Sequence, residues 1–322
     1  LPIPKRVIAV LAFFPAMAIH GQERQVSGPL AGYVFDGAAL RPIAGLPGGA
    51  MLGDAIDLGL TASAAVISPQ LDSVMVAASD GSLHLFRLSG KIATEVSWNG
   101  MPHVPARVVY SPSGTAAAIY ASGRVQVVSG LPNSPAPAFS DEIGPSPTEP
   151  GREPRSAAPK ALAVSDDATF LVIASGSSDR LLSASGSSSV LMLGVCGVPE
   201  FVPGGHDVAD LVGALPELAV FPDGSATPSQ RISAFGLSQP VGLSFSADGK
   251  LALAASRTGK SVTIFDLAAG GATTLRCDCT PTGVSRMGSL FRLTDAGSGP
   301  VWMVDAAASP PRIVFVPART NP

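Results

Sequence analysis

Apolar positions along this chain come in runs of four to six, each closed by a Ser/Asp/Gly turn. One run is Val66-Ile67-Ser68-Pro69, followed by Val74-Met75-Val76-Ala77-Ala78. The cadence returns at Val109-Tyr110-Ser111-Pro112-Ser113-Gly114 with Ala118-Ile119-Tyr120-Ala121. Its fullest copy is Leu243-Ser244-Phe245-Ser246-Ala247-Asp248-Gly249-Lys250, Leu253-Ala254-Ala255-Ser256 and Ser261-Val262-Thr263-Ile264-Phe265-Asp266-Leu267. Short apolar runs bounded by turn residues predict strands buried on both faces. A strand–turn–strand unit recurring at roughly 40 residues predicts the blades of a β-propeller.

Six such units follow one another: Ala62–Trp98, Ala106–Ile143, Lys160–Leu193, Val198–Phe235, Pro240–Cys277 and Thr282–Val316. The fourth is the least regular, with Phe201 to Asp207 in place of the Ser-x-Asp-Gly turn. Ahead of them, Gly32 to Ile43 matches the last two strands of a blade. The predicted fold is all-β, a β-propeller of four-stranded blades, seven in number with the first incomplete. Six blades with an external N-terminal hairpin is the alternative.

Composition fits this picture. Gly (35) and Pro (30) suit many tight turns and disfavour a helical protein. No apolar run in the body of the chain reaches the ~18 residues of a membrane span. The N-terminus has the grammar of an export signal. Lys5 and Arg6 precede the apolar Val7–Phe14, then Pro15 and Ala16-Met17-Ala18. Residues 1–18 are therefore expected to be a signal peptide and residues 19–322 a single propeller domain. Removing the two charges of Lys5 and Arg6 takes the net charge from −3 to −5. So mild and unclustered a charge excludes a nucleic-acid stripe or a polybasic lipid anchor. The expected product is an exported, periplasmic or extracellular, soluble monomer.

Two features break the repeat. Residues 131–160 hold eight prolines and seven charges (Asp141, Glu142, Glu149, Arg152, Glu153, Arg155 and Lys160) and form a loop insertion. Proline cannot donate to a central ladder, so most of this segment is a solvated excursion. Ala138-Phe139-Ser140 is a candidate outer strand. Among the three cysteines, Cys277 and Cys279 share one strand face. A bridge between them, a bridge from Cys196 to either, and small buried thiols all remain open.

The Phe245–Gly270 blade resembles the YVTN-type repeat of YncE-like bacterial propellers. The Ser-Pro-x-Gly turn at Ser111–Gly114 resembles it in part. The tyrosine and asparagine that mark that family's second strand are absent, replaced by Leu253–Ser256. The resemblance implies a propeller that serves as a binding module.

A search for chemistry supports the same reading. The histidines, His20, His84, His103 and His206, lack metal-motif spacing. Asp166-Asp167 and Asp248 fit turn caps and lack the alternating ligands of a calcium loop. Asparagine occurs only at 99, 133 and 321, which argues against an amide-rich axial metal site. No nucleophile elbow is present. No cofactor, metal or catalytic residue is expected. In a propeller the links between blades share a face with the turns joining second and third strands. That face gathers Trp98, Asn99, His103, Asp179, Arg180, Gln239, Arg257, Lys260 and Asp278, the candidate binding residues. The expected activity is non-catalytic binding of a protein or polymer partner there. A hydrolase or lactonase with an axial site is the alternative.

Overall fold

A computed structural model describes residues 28–319, apart from 144–157, 176–177, 194–196, 213–215 and 298. The expected export signal and Cys196 lie outside the described residues. Seven antiparallel sheets form the blades of a propeller. Blade 1 has β1 (Leu30–Phe35), β2 (Leu40–Ala44) and β3 (Met51–Leu52). Blade 2 has β4 (Ala62–Ile67), β5 (Ser73–Ala78), β6 (Leu83–Ser89) and β7 (Ile92–Glu95). Blade 3 has β8 (Arg107–Tyr110), β9 (Ala117–Ala121), β10 (Arg124–Ser129) and β11 (Ala136–Glu142). Blade 4 has β12 (Ala161–Val164), β13 (Phe170–Ala174), β14 (Ser178–Ser183) and β15 (Ser188–Leu193). Blade 5 has β16 (Glu200–Phe201), β17 (Val208–Val212), β18 (Glu217–Phe221) and β19 (Gln230–Ser233). Blade 6 has β20 (Pro240–Phe245), β21 (Leu251–Ser256), β22 (Ser261–Asp266) and β23 (Gly271–Arg276). Blade 7 has β24 (Ser285–Met287), β25 (Leu290–Arg292), β26 (Val301–Asp305) and β27 (Arg312–Val316). Among the described residues, no helix is long and apolar enough to cross a membrane.

The core is a set of seams between neighbouring blades. Along β21, Ala252 and Ala254 pack toward blade 5, while Leu253 and Ala255 pack toward blade 7. Along β5, Val74 and Val76 face blade 1, and Met75 faces blade 3. Successive side chains point to opposite faces of a strand, and here both faces meet another blade. That is why the strands are continuous apolar runs and do not alternate with polar residues. Blade 1 closes the ring: Val34 and Ile43 pack on blade 7, Tyr33 and Leu40 on blade 2.

The first blade is incomplete, as its sequence predicts, but in a different place. Gly28 and Leu30, where β1 begins, line one hollow with the β6–β7 hairpin at Gly90–Lys91. The Tyr33 hydroxyl donates to Gly90 O at 2.7 Å. The turn after β1 lies instead beside Ala62, where β4 starts. β1 thus runs opposite to β4, as second strands do, and packs against both β4 and β24. Gly32 to Ile43 therefore supplies the second and third strands of its blade, not the last two. Apolar runs of either kind look alike in sequence. Among the described residues blade 1 has no innermost strand. Gly288 N–H bridges the gap, donating to Pro69 O at 3.0 Å and joining blade 7 to blade 2.

The repeated serine has one job. Ser68, Ser111, Ser165 and Ser246 each follow an innermost strand, and their hydroxyls accept backbone N–H groups of the same turn. The donors are Gln70 (3.2 Å), Ala116 (3.2 Å), Phe170 (2.9 Å) and Leu251 (3.0 Å). Such local side-chain bonds hold the turn where a ladder bond is missing. In the Pro-rich segment, the expected outer strand forms as β11 and places Pro137 on a blade's outer edge, where proline is tolerated.

Candidate functional site

The ring has two unlike faces. One carries the serine turns and is called here the turn face. The other carries the links between blades and the turns joining second to third strands, and is called the link face. Most sequence-predicted binding residues are exposed on the link side: Asn99, His103, Arg180, Gln239, Arg257, Lys260 and Asp278. Two are not. Trp98 packs with Met75, Leu85 and Ile119 in the seam of blades 2 and 3, so its ring fills core and offers no platform. Asp179 lies in β14 and not in a loop, 1% exposed, against Asp210 of blade 5. Burial first, and then Asp179, push the Asp210 carboxyl well above its usual range. Arg180 also belongs to β14, where it donates to Ser188 Oγ at 3.0 Å.

Blade 6 gathers the largest group of predicted residues. The link from blade 5 lies over the Arg257–Lys260 turn. Arg257 N–H donates to Gln239 O at 3.3 Å, and the Ser238 and Thr258 hydroxyls meet at 2.8 Å. Cys277 N–H donates to Lys260 O at 2.8 Å, bringing Asp278 to the same place. Cys277 and Cys279 form a disulfide, their Cα atoms 5.0 Å apart, within the usual span of a bridge. Phe235 stands on this link, 90% exposed. The sequence did not single it out, because a lone Phe after a strand reads as core. Arg257 and Lys260, in the turn that this link covers, are exposed, and so is Arg276 at the end of β23, with Asp278 the one acid among the predicted residues here.

A second feature sits on the axis. The innermost strands surround a cavity of about 170 Å³ lined by Val66, Val108, Leu243 and Val284 among others, with Glu200 and Arg286. Arg286 donates to Pro112 O across the ring and to Gly288 O at 3.4 Å. Its backbone N–H donates to Ser244 Oγ at 3.2 Å. Glu200 is partly exposed and lines the cavity. Burial pushes its carboxyl up to about 8; Asp166 adds to the rise, while Phe201 N–H and Arg286 oppose it. Burial likewise lowers Arg286, against the pull of Asp166 and Glu200. Neither residue carries a motif; each blade contributes one, and only ring closure brings them together.

No family model matches the chain, and neither does any curated protein. Among solved structures it is similar to the apo form of AztD from Citrobacter koseri. The TM-score is 0.57 at 10% identity, covering 88% of this chain and 94% of that one. At that identity the likeness shows the propeller fold alone.

Proposed function

We propose that this protein is an exported, monomeric, non-catalytic propeller that binds an acidic protein or polymer partner through the link face of blade 6. The resemblance of the Phe245–Gly270 blade to YVTN-type repeats supports that class. The observation that carries the reading is Phe235. A side chain of that size left 90% exposed beside Arg257 and Lys260 does nothing for the fold. Aromatic and arginine side chains are the usual anchors of recognition surfaces. The surrounding positive charge complements an anionic segment and repels a basic one.

The axial pair Glu200–Arg286 favours the enzymatic alternative, since a carboxyl with a raised pKa in a cavity is a mark of function. The cavity argues the other way. Its 170 Å³ is below the ~300 Å³ at which ligand pockets begin, and Arg286 already spends donors on two carbonyls. Recognition at the link face is therefore the reading retained. Fluorescence anisotropy with labelled poly-L-glutamate tests it, with neutral dextran as control. The wild-type chain should bind with salt-sensitive affinity. The triple variant F235A/R257E/K260E should lose at least about tenfold, roughly 1.4 kcal/mol, with its melting temperature unchanged. No binding by the wild type, or equal binding by the variant, would sink the reading.

A further inference from the structure

Where blades 4 and 5 meet, two carboxyl groups are buried side by side. Asp179 is the second residue of β14 and Asp210 the middle of β17; they are 1% and 2% exposed. The two side chains lie within hydrogen-bonding reach of each other. The link between the blades is fastened to both. Gly197 N–H donates to Asp179 Oδ2 at 3.4 Å, and the N–H groups of Val198 and Leu211 reach the Asp210 carboxyl. Each Oδ1 finds no donor among the described residues. The seam leaves no space beside them: a Cβ on Gly197 would stand 1.9 Å from Asp210 Oδ1 and 2.3 Å from Leu211 O.

The charged side chains of the surrounding elements are turned elsewhere. Arg180 of β14 is exposed and bonds Ser188 of β15. Glu217 of β18 and Arg231 of β19 pair with each other. Glu200 of β16 lines the axial cavity, and Asp207, ahead of β17, accepts Asp223 N–H. β12, β13, β15 and β20 carry no charged residue. None of the ion pairs among the described residues involves Asp179 or Asp210. Two carboxylates are both acceptors and cannot bond each other. Out of water and without a cation, two like charges in contact cannot both persist. One proton between them replaces the repulsion with a charge-assisted hydrogen bond.

We propose that Asp179 and Asp210 share a single proton, and that this proton is a pH-operated latch on the seam of blades 4 and 5. Held, it joins β14 to β17 beneath the link. Released, it leaves like charges facing each other, and the blades part there to admit water. The sign follows from the direction in which Asp210 is pushed. Burial first, and Asp179 second, hold its carboxyl well above the ordinary value of 3.8. The folded chain therefore keeps a proton that the unfolded chain has released. The latch contributes fully below pH 3.8 and is lost as pH rises through the raised value of the pair, which titrates as a unit. No spacing motif announces it, because the two aspartates belong to different blades.

The test uses the full chain carrying Glu200→Gln, so that the axial carboxyl does not titrate in the same range. Its melting temperature is compared from pH 5 to pH 9 with that of the same chain carrying Asp210→Asn as well. The amide keeps an oxygen for Val198 and Leu211 and offers its N–H to Asp179 at every pH. The parent should lose several degrees relative to the Asn variant as pH rises. Asp179→Asn repeats the comparison from the other blade. Hydrogen exchange locates the loss and needs no substitution at the pair. After correction for base catalysis, amides of residues 197–212 in the parent should lose protection about tenfold or more over that range, while those of β21 and β22 keep theirs. A melting difference that stays constant with pH in both variants overturns the proposal. So does protection at 197–212 that changes no more than it does in β21 and β22.

Discussion

The two faces of the ring are built from the same chain and treated differently by it. On the turn face one device recurs, and blades are tied turn to turn. Asp166 accepts Ser113 N–H of blade 3 at 2.7 Å and Gly204 N–H of blade 5 at 2.9 Å. Gly288 reaches Pro69, and Arg286 reaches Pro112 across the axis. On the link face the segments differ in length and composition, and Phe235, Arg257 and Lys260 stand in solvent. The difference separates what closes the ring from what is free to recognise. Where the same residue types return in blade after blade, they satisfy backbone; where they vary, backbone does not need them.

The largest effect that breaks this comparison is expected at Arg286. Arg286→Ala leaves Pro112 O without its donor and removes the cation that Asp166 is drawn to. Breaking a buried charged contact costs about 3–5 kcal/mol. Arg257→Ala on the link face should stay within about 0.5 kcal/mol of wild type. Urea unfolding of both variants checks the pair. Equal losses would mean that both faces hold the ring.

The next effect depends on pH. The Glu200 carboxyl is raised from 4.5 to about 8 in the folded chain. Folded protein therefore holds a proton that unfolded protein has released throughout that window. Its contribution is fully present below pH 4.5 and falls as pH rises toward 8. Glu200→Gln keeps the shape and removes the titration. The variant should gain on wild type steadily between pH 5 and pH 8, reaching a few kcal/mol at the upper end. A difference between the two that does not change with pH would place Glu200 in contact with bulk water.

Much of this architecture was legible in the sequence, and the reason is the repeat. Ser68, Ser111 and Ser246 announce the end of an innermost strand because their hydroxyls cap the turn that follows. Four of the six four-stranded blades carry that serine; blades 5 and 7, with Val202 and Gly288 in its place, were matched by spacing and apolar content. Blade 1 was misassigned because Gly32–Ile43 has no such serine turn, and its strands had to be matched by apolar content alone. The site was less legible. Asp179 follows Gly/Ser residues that mark a loop, yet its strand begins one residue earlier and buries it. Glu200, Asp210 and Arg286 are single charges inside short apolar strands. Their meaning depends on which strands the closed ring brings together, a property that no local pattern carries. Phe235 was missed for the opposite reason: its exposure is set by the course of a link, and links follow no repeat.

The finest comparison is between two glycines, Gly114 on the turn face and Gly236 on the link face. Both have left-handed φ angles, +77° and +90°, so alanine at either costs about 1–2 kcal/mol in backbone strain. They differ in what a side chain would meet. At Gly236 nothing lies within 4 Å of a Cβ, whereas at Gly114 it would stand 2.4 Å from Ser68 Oγ of the neighbouring blade. That oxygen accepts Gln70 N–H at 3.2 Å, so moving it opens a second turn. The turn itself does not demand glycine. Its equivalents in blades 2 and 4 are Leu71 and Ala168, at φ 64° and 61°. Any excess cost at position 114 is therefore the contact between blades and not the conformation. Gly114→Ala should destabilise by about 1 kcal/mol more than Gly236→Ala, measured by urea unfolding of the two single variants. Ser68→Ala in the Gly114→Ala background should return most of that excess, because the obstructing oxygen is gone. Failure of that rescue would show that the turns of blades 2 and 3 are not in contact, and the turn face would lose its claim to be what closes the ring.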